Sequence, residues 1–207
     1  MATPAASRES SVPSPETIRE RFARIQNEVG PNVTVVAATK YVSLADMAAL
    51  VEAGITVVGE NRAQDLEAKH AEYGDAFRWH FIGQLQSNKV KIVNRTCELV
   101  HSLDSDSAAR RLEVPALVQV NLAGEDSKGG VDPQEIPAYL GYDVRGLSTM
   151  PPAASTPEQS RSWFARLRQL ASEHALRDLS MGTTQDYAVA AEEGATYVRV
   201  GSILFRD

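Results

Sequence analysis

Val33-Thr34-Val35-Val36-Ala37-Ala38-Thr39-Lys40 decides how this chain folds. Its β-branched and small apolar residues carry no interior charge, the pattern of a strand buried on both faces, as in a parallel sheet. The segment ends on a lysine. An ammonium at the mouth of an apolar strand is costly to desolvate, which favours the neutral amine, a nucleophile toward aldehydes. The plainer alternative is a lysine that snorkels out of a strand end into water. What separates the two is where the other strands end.

Outward from this stretch the same unit repeats. Before it, Ser14 caps a helix that opens on Pro15-Glu16 and carries Ile18, Phe22, Ile25 and Val29 at helical spacing until Gly30-Pro31 stops it. After it, Ser43-Leu44-Ala45-Asp46 opens a helix, with Ser43 as its cap. Further strands are expected at 55–60, 77–83, 99–104, 116–121, 144–149, 179–182 and 197–201. Ser87 or Asn88, and Ser105 or Asp106, are placed to cap the helices after the third and fourth. A long helix is expected from about Pro157 to His174, with Trp163, Phe164, Leu167 and Leu170 inward. Eight short apolar strands mostly separated by helical patterns fit a single-domain (β/α)8 TIM-like barrel over residues 15–207, since each parallel neighbour needs a crossover. A doubly wound open sheet is the competing architecture. The segment between Asp104 and Val114 leaves about ten residues for a crossover, so that helix is a single turn or residues are absent. Val131 to Tyr142, with two prolines, is another meagre crossover.

Composition narrows the function classes. The chain has 207 residues, 43% of them hydrophobic, with a formal net charge of -6 and a pI near 5.3. An acidic balance without a basic stripe argues against a nucleic-acid partner. The single cysteine, Cys97, excludes a disulfide framework, fits a reducing cytoplasm and reads as structural. Residues 1–14 are Ala/Ser/Pro-rich and read as a disordered tail without a signal-peptide run, and no membrane span follows. His80 and His101 lie inside strands with no carboxylate or cysteine at ligand spacing, so no metal site is expected.

In a parallel barrel the functional face is formed by the strand C-termini. Polar or small residues occupy all eight, including Lys40, Asn61, Asn121, Ser180 and Arg199. Helix capping alone accounts for several of them. It does not account for a lysine facing an arginine and two glycine-hydroxyl loops, Gly182-Thr183-Thr184 and Gly201-Ser202, after the last two strands. Such loops are anion sites, and barrels place phosphates there. With Lys40 across the mouth, they point to a phosphorylated aldehyde held as a Schiff base. The polar loop 125–130 after the fifth strand reads as a lid.

Ala38-Thr39-Lys40, Gly59-Glu60-Asn61, His80-Phe81-Ile82-Gly83-Gln84-Leu85-Gln86-Ser87-Asn88-Lys89, Val118-Gln119-Val120-Asn121, Arg145-Gly146-Leu147, Leu179-Ser180-Met181-Gly182 and Val198-Arg199-Val200-Gly201-Ser202 carry a further signal. In these motifs the chain resembles the pyridoxal-phosphate homeostasis protein family, relatives of the N-terminal barrel of alanine racemase, from about Val33 to Phe205. The resemblance implies pyridoxal 5'-phosphate (PLP) as cofactor, bound as an aldimine on Lys40. It implies phosphate contacts from Thr184, Gly201 and Ser202, Arg199 near the pyridine nitrogen, and Asn61, Ser180 and Gly182 in the pocket. The family pattern has Met-Ser at Thr183-Thr184, keeping the hydroxyl at 184, and Met at Ser148.

A PLP enzyme that labilises a Cα–H bond needs an electron sink and suitably placed bases. An arginine at the ring nitrogen weakens the sink. Racemases of this fold take a second base, a tyrosine, from an added β domain, which is not expected in this chain; none of its six tyrosines stands out as a substitute. The expectation is therefore a non-catalytic PLP carrier in the cytoplasm, monomeric or weakly dimeric, that buffers PLP and hands it to apo PLP-enzymes. A slow PLP-dependent racemase and a Schiff-base aldolase acting on a sugar phosphate are the alternatives.

Overall fold

The computed structural model describes residues 12–125 and 129–206. Eight parallel strands follow sequence order around a closed barrel: β1 (Thr34–Ala38), β2 (Val57–Glu60), β3 (Arg78–Phe81), β4 (Leu99–Leu103), β5 (Ala116–Gln119), β6 (Val144–Ser148), β7 (Asp178–Thr183) and β8 (Tyr197–Val200). Closure is made where β8 pairs with β1, Val36 opposite Arg199 and Ala37 opposite Val200. An open doubly wound sheet is thereby excluded. In β1, Val35, Val36 and Ala37 are buried in succession, so both faces are covered, by the barrel interior and by the helix layer.

The helices are α1 (Pro15–Val29), α2 (Met47–Ala53), α3 (Ala63–Tyr73), α4 (Val90–Thr96), α5 (Asp106–Ala109), α6 (Arg161–Glu173), α7 (Tyr187–Glu192) and α8 (Ser202–Phe205). Ser14 caps α1 through Thr17 N at 3.2 Å, and Ile18, Phe22, Ile25 and Val29 form its buried stripe, packed toward α2, α7 and α8. Each large apolar side chain buried this way contributes about 1.5–3 kcal/mol. Ser105 caps α5 through Ala108 N at 3.3 Å.

Several local expectations are corrected. The cap of α2 is Asp46, while the Ser43 hydroxyl bonds Asp46 Oδ2 at 2.7 Å in the turn before it. Lys89, not Ser87 or Asn88, is the residue before α4, and it has no side-chain capping bond. Trp163 is only partly buried, because the inward stripe of α6 runs through Phe164, Leu167, Leu170 and Ala171. Of the two short crossovers, α5 is a single turn, and the β5–β6 connection makes a 3-10 helix over Pro133–Tyr139. Pro133 and Pro137 remove two backbone donors there, which denies that segment a continuous α-helical ladder.

Residues 1–11 of the expected tail lie outside the described residues. Val12, assigned to the same tail, is buried against the barrel. Of the expected lid, residues 126–128 lie outside the described residues; its flanks are tied to the end of β5, by Asn121 Nδ2 to Glu125 O at 2.9 Å and by Gln119 Nε2 to Gly129 O at 2.8 Å. Cys97 is buried, and burial pushes its thiol up to about 12, so it is held as an inert thiol. No helix among the described residues is long and apolar enough to cross a membrane. No group of His, Cys, Asp and Glu among them is arranged to hold a metal ion.

Candidate functional site

The strand C-termini enclose a cavity of about 550 Å³ lined by Lys40 and Tyr41 after β1, Asn61 after β2, Thr183 and Thr184 at the end of β7, Arg199 in β8, and Gly201 and Ser202 beyond it. The β1–β8 register makes this meeting inevitable. With Ala37 opposite Val200, the residues that follow each strand emerge side by side at the same end of the barrel.

Lys40 is exposed, so the desolvation that its strand-end position implied does not occur. Its ammonium lies 4.8 Å from the centroid of the Tyr41 ring, and the Arg206 guanidinium lies 4.9 Å from the same centroid. Lys40, Arg199 and Arg206 all line the cavity, and no Asp or Glu does so among the described residues. In a chain of net charge -6 this is a local concentration of positive charge, suited to an anion.

The loops after β7 and β8 are joined by one bond, from Gly201 N to Thr184 Oγ1 at 3.3 Å. Asp186 holds the first of these loops, accepting from Thr183 N at 2.7 Å and from Thr183 Oγ1 at 3.2 Å. Arg199 is 7% exposed and donates through Nη2 to Thr149 O at 2.8 Å. Burial lowers its guanidinium to about 10, which leaves it cationic at neutral pH. Two buried polar atoms of cavity residues, Asn61 Oδ1 and Arg199 Nε, have no hydrogen-bond partner among the described residues. A buried acceptor and a buried donor left open cost free energy unless a ligand completes them.

Two expected site residues are not among those lining the cavity. Ser180 is fully buried, with its hydroxyl 2.7 Å from His101 Nδ1 inside the barrel. Gly182 has a backbone reason to be glycine: its φ is +89°, and a Cβ there would stand 2.5 Å from Ala190 Cβ. His80 and His101 form a pair within the barrel, Nδ1 to Nε2, at 2.9 Å.

Sequence reasoning passed over Lys69, which enters from α3 and pairs with the buried carboxylate of Glu60. A signal was present, because Ala63, Leu66 and Lys69 fall on one helix face and all three are buried. Val12 and Arg206, which also line the cavity, carried no comparable pattern.

Residues 14–207 match the family model "Alanine racemase, N-terminal domain". The chain is similar to the pyridoxal phosphate homeostasis protein of Aquifex aeolicus, 40% identical over 177 residues that cover 74% of this chain and 78% of the relative. To that of Deinococcus radiodurans it is 39% identical over 203 residues, 91% of this chain and 95% of the relative. The structure of PipY from Synechococcus elongatus PCC7942 with PLP bound superposes with a TM-score of 0.83 at 33% identity, covering 91% of this chain and 99% of that one. A lysine/ornithine decarboxylase from Vibrio vulnificus, at 15% identity and a TM-score of 0.71, shares the fold alone. With a family match over nearly its whole length and relatives this similar, the chain belongs to the pyridoxal phosphate homeostasis protein family.

Proposed function

We propose that this chain binds PLP at the barrel mouth, as a Schiff base on Lys40, and serves as a carrier that buffers the free aldehyde and delivers it to apo PLP-enzymes. The observation that carries the reading is the convergence of Lys40, Thr184, Arg199, Gly201 and Ser202 on one cavity that no Asp or Glu lines among the described residues. The open acceptor of Asn61 and the open donor of Arg199 suit a polar heteroaromatic ligand. The relatives named for pyridoxal phosphate homeostasis, and PipY solved with PLP bound, support the same assignment. The cofactor supplies an aldehyde carbon, whose condensation with a lysine amine exchanges C=O for C=N and releases one water without an oxidant.

Each residue has a part in this reading. Lys40 provides the amine. Thr184 and Ser202 provide hydroxyl and backbone donors for the phosphate beside Gly201, and Arg206 adds positive charge at the rim. Arg199, cationic at neutral pH, opposes protonation of a pyridine nitrogen beside it and so disfavours carbanion chemistry. An intracellular, reducing setting is consistent with one buried free thiol.

A slow racemase is the second reading, favoured by one observation. Tyr41 lines the cavity beside Lys40, so two groups able to carry a proton face it. The deciding experiment is the visible absorbance spectrum of the protein loaded with PLP. A Schiff-base band that is lost in Lys40→Ala supports the Lys40 assignment, and its retention refutes it. A chiral assay with alanine and serine follows. Turnover of about 1 per second or faster refutes the carrier reading.

A further inference from the structure

The cavity wall formed by the ends of β1 and β2 rests on a buried ion pair to which the proposed function assigns no part. Glu60 is fully buried; its Oε1 accepts from Thr39 Oγ1 at 2.6 Å and from Lys69 Nζ, and its Oε2 accepts from Asn61 N at 3.3 Å. Lys69, 5% exposed, donates again to Thr39 O at 2.9 Å, an oxygen that also accepts from Val42 N at 2.9 Å. The partners of this ion pair are therefore the residue before Lys40, held by both its hydroxyl and its carbonyl, and Asn61.

A buried ion pair is a poor means of stabilising a fold, since an apolar pair of similar volume is often as stable or more so. Its strength is directional: charge-assisted bonds are short and fix their partners closely. The backbone of Thr39 sets the direction in which the Lys40 side chain leaves the strand, and the backbone of Asn61 does the same for its open Oδ1. Lys69 does not line the cavity, and its amine is engaged instead by the Glu60 carboxylate and the Thr39 carbonyl, directed away from an aldehyde bound there.

We infer that the Glu60–Lys69 pair is a positioning device: it fixes Thr39 and Asn61 so that the Lys40 amine is presented to the cavity in the geometry for condensation, and it withholds Lys69 from that reaction. The inference rests on the reading that Lys40 holds the aldehyde. Its test is the variant Glu60→Met/Lys69→Met, which removes both charges while keeping side-chain length, compared with the unsubstituted protein and Lys40→Ala.

The double variant is expected to melt at or above the temperature of the unsubstituted protein. It is also expected to form the Lys40 Schiff base with PLP about ten- to a hundredfold more slowly. In the cofactor-free protein, hydrogen exchange of the Val42 amide, which bonds Thr39 O, is expected to speed up about tenfold, as local stability falls by about 1.4 kcal/mol. Condensation at the unsubstituted rate in the folded double variant overturns the positioning role and leaves the Lys40 reading intact. Absence of a Lys40-dependent band in the unsubstituted protein overturns both. Should the double variant not fold, Thr39→Val decides: it removes one anchor and keeps the ion pair, so slowed condensation supports the role and an unchanged rate overturns it.

Discussion

His80 Nδ1 stands 2.9 Å from His101 Nε2 inside the barrel, and His101 passes the chain on to Ser180 Oγ. One ring nitrogen of the pair must donate and the other accept, so the arrangement requires at least one neutral imidazole. Burial, aided by the charge of Arg78, lowers His80 to about 4; burial, aided by His80 and Arg199, holds His101 well below its ordinary value. Both shifts are downward, so the unfolded chain binds protons that the folded barrel refuses. Stability is therefore full above about pH 6.5 and falls as the pH drops toward 4, by about 1.4 kcal/mol per pH unit for each histidine. Denaturant unfolding between pH 7.5 and about 5, above the carboxylate range, checks this. A flat profile there contradicts a buried neutral pair.

Thr184 joins the two loops of the proposed phosphate site, accepting from Gly201 N at 3.3 Å. Thr184→Val removes that oxygen at constant shape and is expected to weaken PLP binding about tenfold, the loss of one hydrogen bond to an ionised group. Pyridoxal, which lacks the phosphate, is expected to bind almost equally to both forms, and Thr184→Ser to keep PLP affinity. Equilibrium titration with the two aldehydes measures the difference. An equal loss for both places Thr184 outside phosphate recognition.

Gly83 lies on the cavity because nothing larger fits against the end of β2. A Cβ built there would stand 2.0 Å from Asn61 O, a backbone atom with no side-chain freedom to yield. Gly83→Ala must therefore displace Asn61. Overpacking of this kind costs about 1–3 kcal/mol, and the shift is expected to weaken PLP binding as well. Thermal melts and titration of the same variant test both; a variant with unchanged stability shows that the strand end is softer than its packing indicates.

The barrel was legible because β1 announces burial on both faces and seven more apolar segments recur at crossover spacing. The grouping of residues around the cavity followed from the rule that function gathers at strand C-termini, which places Lys40 beside the β7 and β8 loops. The rule stops short of depth within the barrel. Ser180 belongs to the same strand as Thr183, yet it falls three residues earlier and lies with His101 inside the barrel. Lys69 was hidden for a different reason: a helix that carries many charges reads as solvated, and a single inward lysine is visible only when its stripe-mates Ala63 and Leu66 are counted with it. The exposure of Lys40 depends on the turn that follows β1, information that no periodicity contains.

Val12 is the described residue whose position the sequence concealed most fully. It precedes the α1 cap by two residues, is 7% exposed, and lines the cavity together with Lys40 and Arg206. A carboxylate there would face the rim cations that an anionic ligand also needs, so Val12→Asp sets up an internal competitor for the phosphate. PLP affinity is expected to fall about tenfold in dilute buffer, about 1.4 kcal/mol, within the range for charges several ångströms apart near a protein surface. Because part of that interaction passes through solvent, the deficit is expected to shrink at high ionic strength. Val12→Ala, which alters packing without adding charge, is expected to show no such salt dependence. Titrations of both variants at low and high salt separate an electrostatic contact with the ligand from lost packing, and a deficit in Val12→Asp that ignores salt contradicts the former.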